Sequence, residues 1–218
     1  MSSWSEISAQ ISTAVNTTFQ EKDIVAVGGG CINDTFKISD GHNSYFVKLN
    51  NAGCMSMFEA EAAGLNEIYL SQTLRVPQPI CWGENNRQSW LVLEYLSLNK
   101  TSRSNATALG SGLAAMHRTH AKHFGWTCNN TIGNTPQINT TTTDWVQFWR
   151  EHRLGYQLKL ARENGYTGKL QQLGERLMSD LKSFFNNTSP AASLLHGDVW
   201  NGNPSFDMDG QPAIYDPA

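Results

Sequence analysis

Charge is scarce in this 218-residue chain. Lys, Arg, Asp and Glu together make up 16% of it, against about 25% in an average soluble domain. The formal net charge of -3 provides no basic field, which argues against a nucleic-acid partner. Apolar runs are short. The longest, such as Trp90-Leu91-Val92-Leu93, are strand-sized and far below the ~20 residues a membrane-spanning helix needs. Cysteine is sparse and irregularly placed: Cys31, Cys54, Cys81 and Cys128 form no Cys-x-x-Cys pair and no Cys/His cluster, so no zinc site is expected. The first residues, Met1-Ser2-Ser3-Trp4-Ser5-Glu6, lack a basic stretch followed by an apolar core, hence no secretory signal. Asn-x-Thr triplets at Asn16, Asn33, Asn105 and Asn139 are the chance product of a chain rich in both residues. Together these absences point to a cytoplasmic protein with reduced thiols, without membrane or nucleic-acid partners.

What is present divides near residue 96. Trp4, Ile7, Ile11 and Val15 recur at helical spacing, predicting an amphipathic N-terminal helix. Strands are expected at 24–27, 35–38 and 44–49, at Ile80 and over Trp90–Tyr95. A helix carrying Phe58, Ala62, Leu65 and Tyr69 lies between the third strand and the Val76-Pro77-Gln78-Pro79 breaker. After Leu96 a polar stretch, 97–107, reads as a crossing. Helical faces follow at Leu109, Leu113, Met116 and His120; at Trp145, Phe148, Trp149, His152 and Tyr156; and at Leu170, Leu173, Leu177, Leu181 and Phe184. The long segment from Phe124 to Thr143 shows no periodicity, a length usually reserved for function. The fold class is therefore α+β in two lobes: a small β-rich lobe over 1–96 with one inward-facing helix, and a helical lobe over 97–218.

The chemistry concentrates late in the chain. His196-Gly197-Asp198, then Asn203, then Asp216 supply what phosphoryl transfer requires: one carboxylate to accept the proton of the attacking hydroxyl, and oxygen ligands for magnesium. Asp198 is the expected catalytic base, and Asn203 and Asp216 the expected metal ligands. His196 is expected to anchor the loop backbone rather than act as a base. Asp207 and Asp209, flanking Gly210, read as an exposed turn. In the first lobe, Gly28-Gly29-Gly30 joins the first two strands, where backbone amides can approach nucleotide phosphates without an intervening Cβ. Strand alternation puts Lys48 on a core face, where it needs a partner. Glu61 lies inside the apolar arc of the following helix and supplies one; Glu59 and Glu67 point elsewhere. Such a pair holds the α- and β-phosphates of ATP in kinases. The end of the fifth strand, Glu94-Tyr95-Leu96, would present backbone groups to adenine.

The loop Leu194-Leu195-His196-Gly197-Asp198-Val199-Trp200-Asn201-Gly202-Asn203 resembles the His-Gly-Asp-Leu-Trp-x-Gly-Asn signature of the fructosamine/ketosamine kinases. Gly28-Gly29-Gly30-Cys31-Ile32-Asn33, Phe124-Gly125-Trp126, Asn130 through Gln137, and Asp144-Trp145 through Arg153-Leu154 resemble the same family. The resemblance covers nearly the whole chain. It implies a protein-kinase-like fold and ATP- and Mg2+-dependent phosphorylation of the sugar 3-hydroxyl of ketosamines, free or on glycated proteins. Phosphorylation labilises the adduct and repairs the amine. Trp200 and the Phe124–Gln137 loop become candidates for the acceptor side, and Cys31, at the tip of the phosphate loop, a candidate redox-sensitive thiol. Two departures stand out: Val199 replaces Leu, and Pro204 directly follows the proposed metal ligand. Because family members continue past Asp-Pro-Ala, the helical lobe is expected to be incomplete, a C-terminal truncation. Two alternatives remain: a small-molecule kinase of the aminoglycoside or choline type, and a non-catalytic nucleotide-binding fragment. A monomer or a homodimer would suit any of these readings.

Overall fold

The computed structural model describes residues 3–28, 32–99, 106–186 and 188–218. The chain forms two compact units, Met1–His117 with Leu195–Ala218, and Arg118–Leu194.

The first unit is built on a five-stranded antiparallel sheet in the order β1-β2-β3-β5-β4. Its strands are β1 (Asp23–Ala26), β2 (Asp34–Ser39), β3 (Ser44–Asn51), β4 (Pro79–Glu84) and β5 (Gln88–Glu94). Helix α1 (Ser3–Ala14) supplies the fully buried Ile7 and Ile11, which cluster with Ile38, Val47, Trp90 and Val92 of the sheet. Trp4 meets Phe36 edge-on at 5.1 Å, and the Trp90 indole donates to Gln10 Oε1 at 2.9 Å. The amphipathic stripe of α1 thus covers one face of the sheet, as its spacing predicts.

Helix α2 (Met55–Ser71) packs against β4 and β5. Phe58, Ala62 and Leu65 are buried as expected, but Ile68 rather than Tyr69 completes the inward face, and Tyr69 is exposed. At 3.6 residues per turn, one residue of drift over three turns is enough to exchange the two. The helix ends at Gln72 in the left-handed conformation (φ 55°), whose N–H bonds Tyr69 O.

Beyond β5 the chain forms β6 (Leu98–Asn99), which pairs with β11 (Pro204–Asp207); β11 in turn pairs with β12 (Pro212–Ile214). Arg75, just past α2, bridges Ala213 in parallel and accepts the Ile214 N–H at 2.9 Å. The stretch following α2 is therefore stitched to the strand that leads into Asp216. Helix α3 (Ala106–Met116) closes this unit; its close approach to Leu74 passes through Gly112. The helix stops at Met116, so His120, expected on its face, lies instead in strand β7 (His120–Ala121) and is exposed.

In the second unit β7 pairs with β10 (Ala192–Ser193). The segment from Phe124 to Thr143 holds a hairpin, β8 (Asn130–Ile132) and β9 (Thr135–Gln137), turned at Gly133 and Asn134. Its base is closed by a Phe124–Thr142 bridge and by buried Asn139, which donates to Cys128 O and Asn130 Oδ1. The Arg153 guanidinium reaches Ile138 O (2.6 Å) and Asn139 Oδ1 (2.7 Å) and lies over the Phe148 ring. Arg153 belongs to a π-helical turn, Arg150–Leu154, between α4 (Trp145–Trp149) and α5 (Gly155–Glu163). Helix α6 (Lys169–Asp180) departs from its apolar stripe. Leu170, Leu173 and Leu177 are exposed, while Gln171 and Gly174 are buried. Gly174 faces Leu158 so closely that a Cβ would stand 2.4 Å from it, so α5 and α6 meet on the small-residue side of α6. The Gln171 amide is satisfied by Leu158 O and Tyr166 O.

Candidate active site

Strand β3 carries Lys48 onto the face of the sheet opposite Val47, and there it is 4% exposed. Its ammonium lies 2.5 Å from Glu61 Oε1 on α2 and 2.6 Å from Asp216 Oδ1. The pairing with Glu61 is the one that strand and helix phase predict. Burial alone would push the Lys48 pKa down, but Glu61 and then Asp216 outweigh it and hold it above the ordinary lysine value. Burial, reinforced by the charge of Asp216, pushes the Glu61 carboxyl up against the opposing pull of Lys48.

Asp216 sits at φ 61°, one of three described non-glycine residues with positive φ. Aspartate tolerates this left-handed conformation better than most residues, and such backbone outliers concentrate where function demands a fixed side-chain direction.

The loop bearing Asp198 crosses the segment after Asp216. Gly197 has φ 88°, and a Cβ there would stand 1.8 Å from Ala218 O. Only glycine fits this crossing. Ala218 N–H also bonds His196 O at 2.8 Å. His196 is 1% exposed. Its Nε2 lies 3.0 Å from Tyr215 O, and a carbonyl can only accept, so Nε2 carries the proton. Nδ1 accepts the Asp198 N–H at 3.3 Å. Both ring nitrogens are therefore committed to backbone, the anchoring role expected of His196, and neither is available as a base.

Burial lowers the His196 pKa below 6.5, overriding the opposing effects of the Tyr215 hydrogen bond, Asp198 and Asp216. A histidine held neutral contributes stability that is complete above its unfolded value of about 6.5 and lost as the pH falls through the lower folded value. Urea midpoints should therefore drop more steeply between pH 7 and 5 for the native chain than for His196→Gln. Parallel profiles would show that the ring is not held neutral.

Asn203 is 6% exposed; its Nδ2 donates to Asp198 O (2.9 Å) and Asp198 Oδ2 (3.2 Å). Pro204 opens β11, the strand position where a missing N–H costs no ladder bond. Asp207 Oδ1 accepts the N–H groups of Asp209 and Gln211, forming the expected turn. Trp200 is 59% exposed, so it is not a core residue, and its ring lies over Gly202, where a Cβ would be 2.3 Å away.

Of the nucleotide-side expectations, Glu94 ends β5 with its N–H bonded to Gln78 O at 2.8 Å and its carboxylate paired with Arg75. Tyr95 stacks under the Lys37 ammonium at 4.4 Å, and Leu96 follows outside the strand. Gly28 is exposed and open, with nothing near a Cβ built on it. Gly29, Gly30 and Cys31 lie outside the described residues. Asn33, just past them, accepts from Asn50 Nδ2 at 2.8 Å. Lys48, Glu61 and Asp216 thus form one polar cluster and Asp198, Asn203 and His196 a second, and the two meet at the Tyr215-Asp216 junction. Tyr215, which sequence reasoning passed over, belongs to the second: its hydroxyl donates to Gly202 O at 3.0 Å. The only signal for it was its place directly before Asp216.

Among the described residues no group of three or more His, Cys, Asp or Glu side chains could hold a metal, and no helix is long and apolar enough to cross a membrane.

The chain is 41% identical over 216 residues to a Synechocystis sp. protein named as a probable ketoamine kinase, covering 99% of this chain and 72% of that protein. It is 43% identical over 198 residues to the chloroplastic protein-ribulosamine 3-kinase of Arabidopsis thaliana, covering 89% of this chain and 60% of that one. The chain thus spans between about three fifths and three quarters of the length of these relatives. A Haemophilus somnus 129PT protein whose crystal structure carries the name "putative fructosamine-3-kinase" superposes with a TM-score of 0.87 at 27% identity, over 99% of this chain and 72% of that one. An aminoglycoside phosphotransferase shares the fold alone, with a TM-score of 0.61 at 12% identity over 95% of this chain and 70% of its own. The fold is α+β and kinase-like. A model of the fructosamine kinase family matches residues 3–218, and the chain belongs to that family.

Proposed function

We propose that this protein is a kinase that transfers the γ-phosphoryl group of ATP to the sugar 3-hydroxyl of ketosamines, fructosamine or ribulosamine adducts on amines and lysines. The observation that carries the reading is Lys48, buried and held at once by Glu61 and Asp216. A fully charged ammonium kept in one position by two carboxylates is suited to gripping α- and β-phosphate oxygens. In this reading the 1–96 lobe holds the nucleotide and 97–218 carries the catalytic loop. Gly28 faces the phosphates, and the backbone of Tyr95 and Leu96 faces adenine, the Glu94 N–H being already engaged.

Asp198 accepts the proton of the acceptor hydroxyl as its oxygen attacks the γ-phosphorus and the bond to the β-phosphate oxygen breaks. Asn203 Nδ2 holds the Asp198 carboxylate in place, and His196 holds the backbone beneath it. The exposed indole of Trp200 offers a face for the sugar adduct. Asn203 Oδ1 and one Asp216 oxygen have no hydrogen-bond partner among the described residues. Such hard oxygen donors, one of them a carboxylate, are what Mg2+ takes beside phosphates. When bound, the ion would neutralise charge on the transferring group.

The test is incubation with ATP and a peptide bearing a ribulosamine or fructosamine, followed by mass spectrometry. Gain of one phosphate, then loss of the sugar with recovery of the free amine, is the expected outcome. Transfer to an aminoglycoside or amino alcohol but to neither ketosamine would replace this reading with the small-molecule alternative.

A further inference from the structure

Tyr215 grips both peptides that flank Asn203. Its hydroxyl donates to Gly202 O at 3.0 Å, and its own N–H donates to Asn203 O at 3.1 Å. The Gly202 carbonyl and the Asn203 N–H belong to one planar peptide unit. That unit is fixed at its other end by the Asn203 N–H to Trp200 O bond, 3.1 Å. With both ends held, the plane cannot rotate, and the direction in which the Asn203 side chain leaves the backbone is set. Tyr215 also accepts the His196 Nε2 proton on its carbonyl and is joined covalently to Asp216. One residue therefore ties the catalytic loop to the strand end that carries the second oxygen donor.

We propose that Tyr215 is a positioning residue that sets the spacing between Asn203 Oδ1 and the Asp216 carboxylate, and so the affinity of the site for a divalent cation on the nucleotide. The inference rests on the kinase reading above. The backbone bonds of Tyr215 need no side chain, and Tyr215→Phe removes only the hydroxyl bond to Gly202, which makes the role separable.

The experiment compares the native chain, Tyr215→Phe, Asn203→Ala and the double variant. Mn2+ binding in the presence of a non-hydrolysable ATP analogue is followed by electron paramagnetic resonance. Nucleotide binding in EDTA serves as a control for the metal-free site. Loss of one neutral hydrogen bond should weaken Mn2+ binding roughly three- to tenfold in Tyr215→Phe. Metal-free nucleotide affinity and ketosamine KM should stay within twofold of the native values, while the Mg2+ concentration for half-maximal activity rises in step with the Mn2+ constant. In the Asn203→Ala background the Tyr215→Phe change should have no further effect on Mn2+ binding. Native-like Mn2+ affinity in Tyr215→Phe overturns the proposal. So does an equal loss of metal-free nucleotide affinity, which would mark general loosening, or an undiminished effect without the Asn203 side chain. A native chain that binds no Mn2+ with the analogue would instead sink the kinase reading itself.

Discussion

Asp198→Asn is expected to lower the rate of phosphoryl transfer by about 10²- to 10⁴-fold, the usual contribution of a positioned general base, with little change in folding or nucleotide binding. The geometry supports this separation. The Asp198 carboxylate makes one hydrogen bond among the described residues, from Asn203 Nδ2 to Oδ2 at 3.2 Å, and Asn203 also bonds the Asp198 backbone carbonyl at 2.9 Å. An asparagine carbonyl can accept the first bond, and the second does not involve the side chain. His196, the other titratable group in the loop, cannot take over, because both its ring nitrogens are bonded to backbone. Single-turnover rates, with nucleotide affinity and melting temperature measured in parallel, check the expectation. A variant within threefold of the native rate would place the base elsewhere or show that proton transfer lags behind phosphoryl transfer.

The first unit was largely legible in the sequence because each of its elements has one buried face and one period. The stripe of Ile7 and Ile11 and the alternation in β3 each predict a side chain's direction from a few neighbours. The second unit was less so. The hairpin at 130–137 is held by Asn139 and Arg153, polar residues whose partners are carbonyls and amides, and such bonds leave no hydrophobic period. Its Gly133-Asn134 dipeptide, a two-residue hairpin turn, was the available signal, and the flanking Asn-Thr-Ile and Thr-Pro-Gln are too short and too poor in strand formers to add to it. On α6 the leucine stripe misled because close packing at Gly174 outweighs the stripe in deciding which face meets α5.

Within the candidate site, Lys48 and Glu61 lie 13 residues apart on consecutive elements, so strand and helix phase sufficed to pair them. Asp216 lies 168 residues from Lys48, and no local periodicity spans that distance. The residues could be named from the phosphoryl-transfer motif, but their direct contact could not. Tyr215 was hidden for a different reason: its role passes through backbone atoms of Gly202 and Asn203, which carry no residue identity.

The contact of Lys48 with two carboxylates carries the largest expected effect on stability. Lys48→Met keeps the length and most of the volume of the side chain while removing its charge. Glu61, whose side chain is 10% exposed, is then left buried without a cation; Asp216, at 46%, can turn to water. Removing one partner of a buried pair costs about 3–5 kcal/mol, and here the Glu61 side accounts for most of it. The sign of the pH dependence follows. Burial already raises the Glu61 carboxyl, and without the ammonium it must take up a proton in the folded state. A raised carboxylate contributes stability that is fully present below its unfolded value, about 4.3, and lost as the pH climbs through the folded value. The deficit of Lys48→Met relative to the native chain should therefore be smallest near pH 5 and grow toward pH 8, as read from urea midpoints. Lys48→Met/Glu61→Leu should recover most of the lost stability, since an apolar pair of similar volume often replaces a buried ion pair without penalty. ATP affinity should remain lost in both, because the group that grips the phosphates is gone from each. A double variant as unstable as the single one would mean that the lysine stem, or its bond to Asp216, rather than the stranded Glu61 charge, sets the cost.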